Sequence, residues 1–188
     1  MTQRRQIPAI AILAASCFLA GCQHTGIGAA NGHWKKESIG LAAKLPPAPW
    51  KLNELDKSDN GFSLDNFDHR YSHGGIVPPA GAEITVVREK LPGMPVADFL
   101  REQLRIMPAE IQTVKVAGEK GALADFEMEA AACKERPQTC DDSAQMDVYV
   151  PHGKWLYKFF LNYHAQDSNA QSHKAAFREF LAGVKFAD

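Results

Sequence analysis

The sequence predicts an α+β domain, built on a mostly antiparallel β-sheet that two helices cover. Segments with a two-residue alternation of apolar and polar side chains recur along the 188-residue chain and are separated by turn-forming residues. Two other segments carry apolar residues at helical spacing. Strands that follow one another through short turns pair in antiparallel fashion, which gives one sheet. The helices are expected to pack on this sheet.

The first part of this domain is predicted to contain short strands. Residues 39–52, IGLAAKLPPAPWKL, form an extended stretch that three prolines interrupt, which favours the edge of a sheet. The Asn60-Gly61 pair is a hairpin signal. After it, a strand is predicted from residues that alternate with polar neighbours: Phe67, His69, Tyr71 and His73. The β-branched segment 82–91 predicts the next strand.

The first helix is predicted between Pro95 and Pro108. Pro95 suits the first helical position, and Asp98 lies in the first turn, where the helix dipole favours an acid. The apolar residues recur with a helical period: Val96, Phe99, Leu100, Leu104 and Met107. Pro108 is expected to end the helix.

Four strands and a second helix are predicted to follow. The strands are segments 112–118, 122–130, 144–150 and 154–165. The last strand has Trp155, Tyr157, Phe159, Leu161 and Tyr163 on one face, and Leu156 and Phe160 on the other. Two apolar faces require cover on both sides of the sheet. The final segment, 168–186, predicts a helix that ends near Gly183.

Residues 37–186 resemble the PsbP/DcrB-like fold. The resemblance lies in the proline-rich segment that ends at Trp50, the PAGAEITV stretch, the amphipathic helix and the strands after it. It also includes a closing F-x-x-F-L-x-x-V-x-F pattern: Phe177, Phe180, Leu181, Val184 and Phe186. Relatives of this shape include photosystem accessory proteins, exported bacterial lipoproteins and chaperones of secreted toxins. The resemblance therefore implies a sandwich that acts as a binding module.

The amino terminus has the features of a secretory signal. Two arginines precede an apolar stretch, residues 7–20, which is shorter than the about 20 residues that a transmembrane helix needs. The stretch ends in Leu19-Ala20-Gly21-Cys22, which resembles the lipobox of bacterial lipoproteins. The alternative is a plain signal peptide with an incidental cysteine.

The lipobox implies cleavage after residue 21 and acylation of Cys22. Two or more acyl chains anchor a protein stably in a membrane, whereas one chain binds only marginally. Gln23 stands where, in enterobacterial lipoproteins, an aspartate would favour the inner membrane, so this resemblance implies the outer membrane, on its periplasmic face. The predicted organisation is a signal peptide (1–21), the lipidated cysteine with a flexible tether (22–33) and one globular domain (34–188).

The charge of the mature chain is ordinary for a soluble domain. Removing residues 1–21 leaves 19 basic and 22 acidic residues, a net charge of −3. Proteins that bind nucleic acid carry basic patches, so a nucleic-acid partner is not expected.

Cys133 and Cys140 are predicted to form a disulfide. They are the two cysteines left after Cys17 is removed with the signal and Cys22 takes the lipid. They stand in a short polar segment with a proline between them, which suits a local disulfide in an oxidising compartment. The alternative is a metal or redox pair, but a zinc site needs further Cys or His ligands at a recognisable spacing.

No catalytic motif accompanies these features. The chain has no G-x-S-x-G, H-E-x-x-H, Walker or G-x-G-x-x-G sequence. His69 and His73 would bind one metal ion only on a helix, because four strand steps separate them by roughly 13 Å. A metal site that combines His69 or His73 with ligands from other segments is the remaining alternative. We therefore expect no enzyme activity, metal or cofactor.

The segments least constrained by core periodicity are 66–81 and 133–144. The first combines His69, Arg70 and Tyr71 with glycines and prolines, and the second carries Arg136 between the two cysteines. Aromatic and arginine residues on preordered loops are typical of interface hot spots. The alternative is that both segments are ordinary surface loops.

Two classes of function fit these observations. The first is a non-enzymatic lipoprotein that binds another envelope protein, either as an immunity protein against a secreted envelope-targeting toxin or as an accessory of envelope assembly. The second is a small-molecule- or metal-binding hydrolase that uses His69 and His73 with acids from elsewhere in the chain.

Overall fold

The computed structural model describes residues 33–53, 59–68, 77–105, 109–127 and 143–187. These residues form ten strands and two α-helices, and a 3-10 helix, Glu37–Ile39, joins the first two strands. The strands are β1 (His33–Lys36), β2 (Leu41–Lys44), β3 (Lys51–Leu52), β4 (Gly61–Asp65), β5 (Ala82–Lys90), β6 (Ile111–Val116), β7 (Glu119–Glu127), β8 (Ser143–His152), β9 (Trp155–His164) and β10 (Lys185–Phe186). The helices are α1 (Val96–Gln103) and α2 (Ala170–Ala182). None of the helices in these ranges is long and apolar enough to span a membrane.

Seven strands form one antiparallel sheet in the order β3-β4-β5-β9-β8-β7-β6. A smaller antiparallel sheet has the order β1-β2-β10 and joins the two ends of the domain. The predicted α+β class, with a mostly antiparallel sheet and two covering helices, is confirmed.

One helix covers each face of the large sheet. On the α2 side, Phe177 and Phe180 pack in the same core cluster as Phe159 and Leu161 of β9. On the α1 side, Leu100 packs in a second cluster with the buried Leu156 and the partly buried Phe160 of β9. The prediction that β9 is covered on both faces is therefore confirmed.

The predicted helices lie close to their expected positions. Pro95 is the N-cap of α1 rather than its first helical residue, and Asp98 in the first turn pairs with Arg101 at 2.5 Å. Helix α1 ends at Gln103, ahead of Pro108.

Gly183 ends α2 as predicted, and close packing rather than a left-handed backbone requires the glycine. Its backbone is right-handed, with φ −87° and ψ −5°. A Cβ at this position would lie 2.8 Å from Cβ of Lys44 in β2. Glycine is required here because the end of the helix approaches the small sheet closely.

The strand predicted over residues 67–73 does not begin at Phe67, and a strand that was not predicted precedes it. Strand β4 runs from Gly61 to Asp65, and Phe67 follows it in a bend. The physical reason is packing: Phe62 and Leu64 are 4% and 0% exposed and bury their side chains in the α2-side core. Residues 69–73 lie outside the described ranges.

Candidate binding site at one end of the sheet

Five strand ends meet at one end of the large sheet. Strands β4, β7 and β9 finish there, and β5 and β8 begin there, at Asp65, Glu127, His164, Ala82 and Ser143. We call this region the loop end. Segments 69–76 and 128–142 both leave the sheet from it. Two strand spacings, about 10 Å, separate β5 from β8, and four, about 19 Å, separate β4 from β7, so the strands that flank the two segments lie about 10 to 19 Å apart.

The chain on both sides of segment 69–76 is fixed to the sheet. Before it, Asn66 Oδ1 accepts a hydrogen bond from the backbone N–H of Ala82 at 2.7 Å. After it, the Val77 carbonyl accepts one from His164 Nε2 at 2.7 Å. The segment therefore starts and ends at positions that β5 and β9 determine.

A buried chain of hydrogen bonds joins this region to α2. His173 Nε2 lies 2.8 Å from Asp167 Oδ2, and the two side chains are 6% and 1% exposed. His173 Nδ1 lies 3.2 Å from Asn66 Nδ2. With the Nε2 proton donated to the carboxylate, Nδ1 accepts from the Asn66 amide, whose oxygen accepts from Ala82. Every group of the chain is thus oriented by its neighbour.

Hydrogen bonding keeps Asp167 ionised. Burial alone would raise the pKa of this carboxyl, but hydrogen bonds from the backbone N–H of Asn169 and from His173 bring it below its ordinary value of 3.8. Both ring nitrogens of His173 are used inside the network. A general base needs a free nitrogen that faces substrate, so this arrangement positions the loop end and does not itself supply acid–base catalysis.

A second contact fixes α2 over the same end. Lys174 Nζ lies 2.9 and 2.8 Å from the two carboxylate oxygens of Asp125 in β7, and 5.6 Å from the ring centre of Tyr163 in β9. Partial burial lowers the pKa of Lys174, but its hydrogen bonds with Asp125 and Tyr163 outweigh that effect and raise the pKa above its ordinary value. The first two turns of α2 are therefore joined to two strands of the loop end.

The opposite face of the sheet buries a different acid. Asp147 in β8 is 3% exposed and accepts a hydrogen bond from Gln145 Nε2 at 2.7 Å. Burial raises its pKa from 3.8 to about 6, against the smaller opposing effects of this hydrogen bond and of Lys158. Lys158 itself pairs with Glu89 at 2.7 Å.

Sequence reasoning missed the roles of Asp147 and Asp167. Asp147 could have been found, because β9 is apolar on both faces and its neighbour in the sheet must then bury both faces too. Asp167 and His173 stand six residues apart across the start of α2, and no local pattern links either of them to Asn66.

The side chains predicted for the site lie outside the described residues. These are Cys22, His69, Arg70, Tyr71, His73, Cys133, Arg136 and Cys140. What the structure describes is that the strand ends flanking segments 69–76 and 128–142 lie at the same end of the sheet. Within the described ranges, no group of three or more His, Cys, Asp or Glu side chains could hold a metal ion.

The cysteines of segment 128–142 are expected to be oxidised. Both thiols should resist alkylation in freshly exported, non-reduced protein and should react after reduction, as measured by mass spectrometry. Replacing both by serine is expected to lower the free energy of unfolding by about 2 kcal/mol, because the short loop is no longer closed in the unfolded chain. Two reactive thiols in non-reduced material would contradict the disulfide.

The comparisons with known proteins concern the fold. No protein-family model matches the chain, and no curated protein does. CyanoP, a PsbP protein of Synechocystis, has a similar solved structure, with a TM-score of 0.51, 12% identity and coverage of 89% of this chain and 98% of that one. LpqN, involved in cell envelope biogenesis of Mycobacterium tuberculosis, gives 0.51 and 13%, with coverage of 79% and 84%.

A protein of Bacteroides thetaiotaomicron is also similar, with a TM-score of 0.52 and 10% identity. The match covers 84% of this chain but only 48% of that protein, so the chain spans about half its length. At these identities the likeness is one of fold. The PsbP/DcrB-like architecture expected from residues 37–186 is thereby supported.

Proposed function

We propose that this chain is a non-enzymatic protein-binding lipoprotein, anchored through acyl chains on Cys22 in the outer membrane and facing the periplasm. Its partner is another protein of the envelope, and the loop end is the contact surface. The observation that carries the proposal is that the strand ends flanking segments 69–76 and 128–142 lie at the same end of the sheet. These are the segments that bear His69, Arg70, Tyr71 and Arg136.

The hydrogen bonds that fix the loop end favour a binding function over a catalytic one. A preorganised surface loses less conformational entropy when it binds, and the hydrogen bonds of Asn66 and His164 fix both sides of segment 69–76. The ionisable groups of the buried network are engaged with one another, which suits a scaffold more than a reacting centre.

Two forms of this function remain distinct proposals. One is an immunity protein against a secreted envelope-targeting toxin, which a neighbouring effector gene would favour. The other is an accessory of envelope assembly, which neighbouring assembly genes would favour. The fold shared with LpqN, a protein involved in cell envelope biogenesis, supports the second form.

Substitutions at the loop end are expected to weaken partner binding at least about tenfold, or about 1.4 kcal/mol. The partner is first isolated from envelope extracts and its affinity measured for Arg70→Ala with Arg136→Ala, and for Tyr71→Ala. The matched control is Lys115→Ala with Lys120→Ala, which removes two positive charges from exposed positions on β6 and β7. Unchanged affinity in both loop variants would rule out this surface.

The rival function is a hydrolase that uses His69 and His73. It predicts stoichiometric metal in the purified protein or hydrolytic activity that is lost on replacing either histidine. Metal analysis and a hydrolysis assay of protein purified without a histidine tag therefore separate the two classes.

A further inference from the structure

The small sheet has a basic outer face. Its inward side chains, including Trp34, Leu41 and Ala43, are 3%, 0% and 2% exposed and belong to the core. The alternate positions point away from the core. These outward side chains are His33, Lys35, Ala42, Lys44 and Lys185, of which all but Ala42 are exposed.

Strand register brings the lysines together. Lys35 in β1 and Lys185 in β10 lie on either side of Ala42 in β2, and His33 lies opposite Lys44. Two strand spacings separate the outer strands, so Lys35 and Lys185 start about 10 Å apart. Three lysines from three strands therefore lie around one small alanine.

The acids at its border neutralise this face only in part. Glu37 pairs with Lys35 at 3.1 Å, and Glu179 pairs with Lys44 at 3.0 Å. Each of the four side chains is more than half exposed, so these pairs are weak. Within the described ranges Lys185 forms no ion pair, and none of the outward residues is acidic. This face is positive although the mature chain carries a net charge of −3.

We propose that this basic face docks on the anionic phospholipid surface in which Cys22 is anchored. The inference rests on the proposed lipid anchor. Cys22 precedes His33, the first residue of β1, by eleven residues, which span at most about 38 Å. The anchor thus holds this face, more directly than any other, near the lipid headgroups.

Charge complementarity supplies the attraction. A lysine close to an anionic membrane gains about 1 kcal/mol, which is roughly a fivefold gain in affinity, over a distance of about a Debye length. Three lysines are too few to hold a free protein on a membrane. They suffice to orient a protein that its anchor already keeps within a few tens of ångströms of the surface.

Docking in this orientation leaves the loop end accessible. The Gly183 carbonyl accepts a hydrogen bond from the backbone N–H of Lys44 at 3.3 Å, so the carboxyl end of α2 adjoins the basic face. The amino end of α2 adjoins the loop end through His173. Thirteen helical residues separate the two ends by about 20 Å. The proposed partner surface would project from the membrane into the periplasm.

Hydrogen–deuterium exchange of the lipidated protein on vesicles tests the proposal. On vesicles that contain phosphatidylglycerol, amides of β1, β2 and β10 are expected to exchange at least about threefold more slowly than on phosphatidylcholine vesicles. The difference should disappear in Lys35→Gln with Lys44→Gln and Lys185→Gln. It should also diminish as sodium chloride rises from about 0.05 to 0.5 M.

The matched control is Lys115→Gln with Lys120→Gln and Lys154→Gln, which removes three exposed lysines at the β6–β7 and β8–β9 hairpins. It should keep the protection. Equal exchange on both kinds of vesicle, protection that survives in the first variant, or equal loss in the control would overturn the proposal.

Mass spectrometry of Cys22 tests the lipid anchor separately from the docking of the basic face. If Cys22 carries no acyl chain, the anchoring proposal has failed. The same exchange comparison is then made with the chain coupled through the Cys22 thiol to a maleimide-bearing phospholipid, so the basic face is still judged by its own result.

Discussion

Replacing Cys22 by serine is expected to move the protein from the membrane fraction to the soluble periplasmic fraction. A serine hydroxyl does not accept the thioether-linked diacylglycerol, so the chain loses all of its acyl groups. One acyl chain alone gives a membrane association constant of about 10⁴ M⁻¹, and two or more chains bind more tightly than that. Losing all of them therefore removes nearly all of the membrane affinity that the anchor supplies. Cell fractionation and metabolic labelling with a palmitate analogue measure both changes.

Cys17→Ser is the matched control. Its thiol lies five residues earlier, inside the predicted signal peptide, and it should leave anchoring and labelling intact. If Cys22→Ser protein stays in the membrane fraction and still takes up the label, Cys22 is not the anchor.

Replacing Asp147 by asparagine is expected to stabilise the protein by about 2 kcal/mol at pH 8 and by less than about 0.5 kcal/mol at pH 4. The carboxyl is buried and its pKa is raised to about 6 in the folded chain. Asparagine keeps an oxygen that accepts from Gln145 but carries no charge into the interior.

The sign follows from proton linkage. Between pH 3.8 and about 6 the folded chain binds more protons at Asp147 than the unfolded chain does, so stability falls as the pH rises through this window. Above pH 6 the carboxyl is ionised in both states and the cost of the buried charge, about 3 kcal/mol, is fully present. Below pH 3.8 this cost is absent.

Denaturant unfolding at pH 4 and pH 8 measures the difference in free energy of unfolding between the wild-type protein and Asp147→Asn. Asp98→Asn is the control, because Asp98 is exposed on α1 and its pair with Arg101 contributes little. A variant that is destabilised at pH 8, or whose effect is the same at both pH values, would contradict the account of Asp147.

Much of the fold follows from local periodicity. Strands β5 to β9 and both helices lie close to where alternation or helical spacing predicts them, because their apolar side chains repeat over eight residues or more or are bounded by turn residues. Strand β4 was missed because Phe62 and Leu64 alternate over only five residues. The burial that stabilises it comes from β5 and α2.

The candidate site was predictable only as separate segments. Loop composition predicts Arg70, Tyr71 and Arg136 as candidate binding residues. It does not predict whether their segments lie near one another. The strand ends that flank these segments share one end of the sheet because β9 pairs between β5 and β8, a long-range order that no local pattern encodes. The chain from Asp167 through His173 to Asn66 likewise spans about a hundred residues of sequence.

By itself the sequence determines the α+β class from the periods of its successive segments. It also determines the two covered faces of β9 and the small closing cluster of Phe177, Phe180 and Leu181, because each of these depends on spacing within one element. It also predicts export and lipidation at Cys22. Tertiary structure alone decides that Asp147 is buried, that Gly183 must lack a side chain beside Lys44, and that β1, β2 and β10 share one sheet. Strands of two to four residues carry too short a period to specify their partners. Their pairing is set by the core that they close, and that core forms only when the two ends of the domain meet.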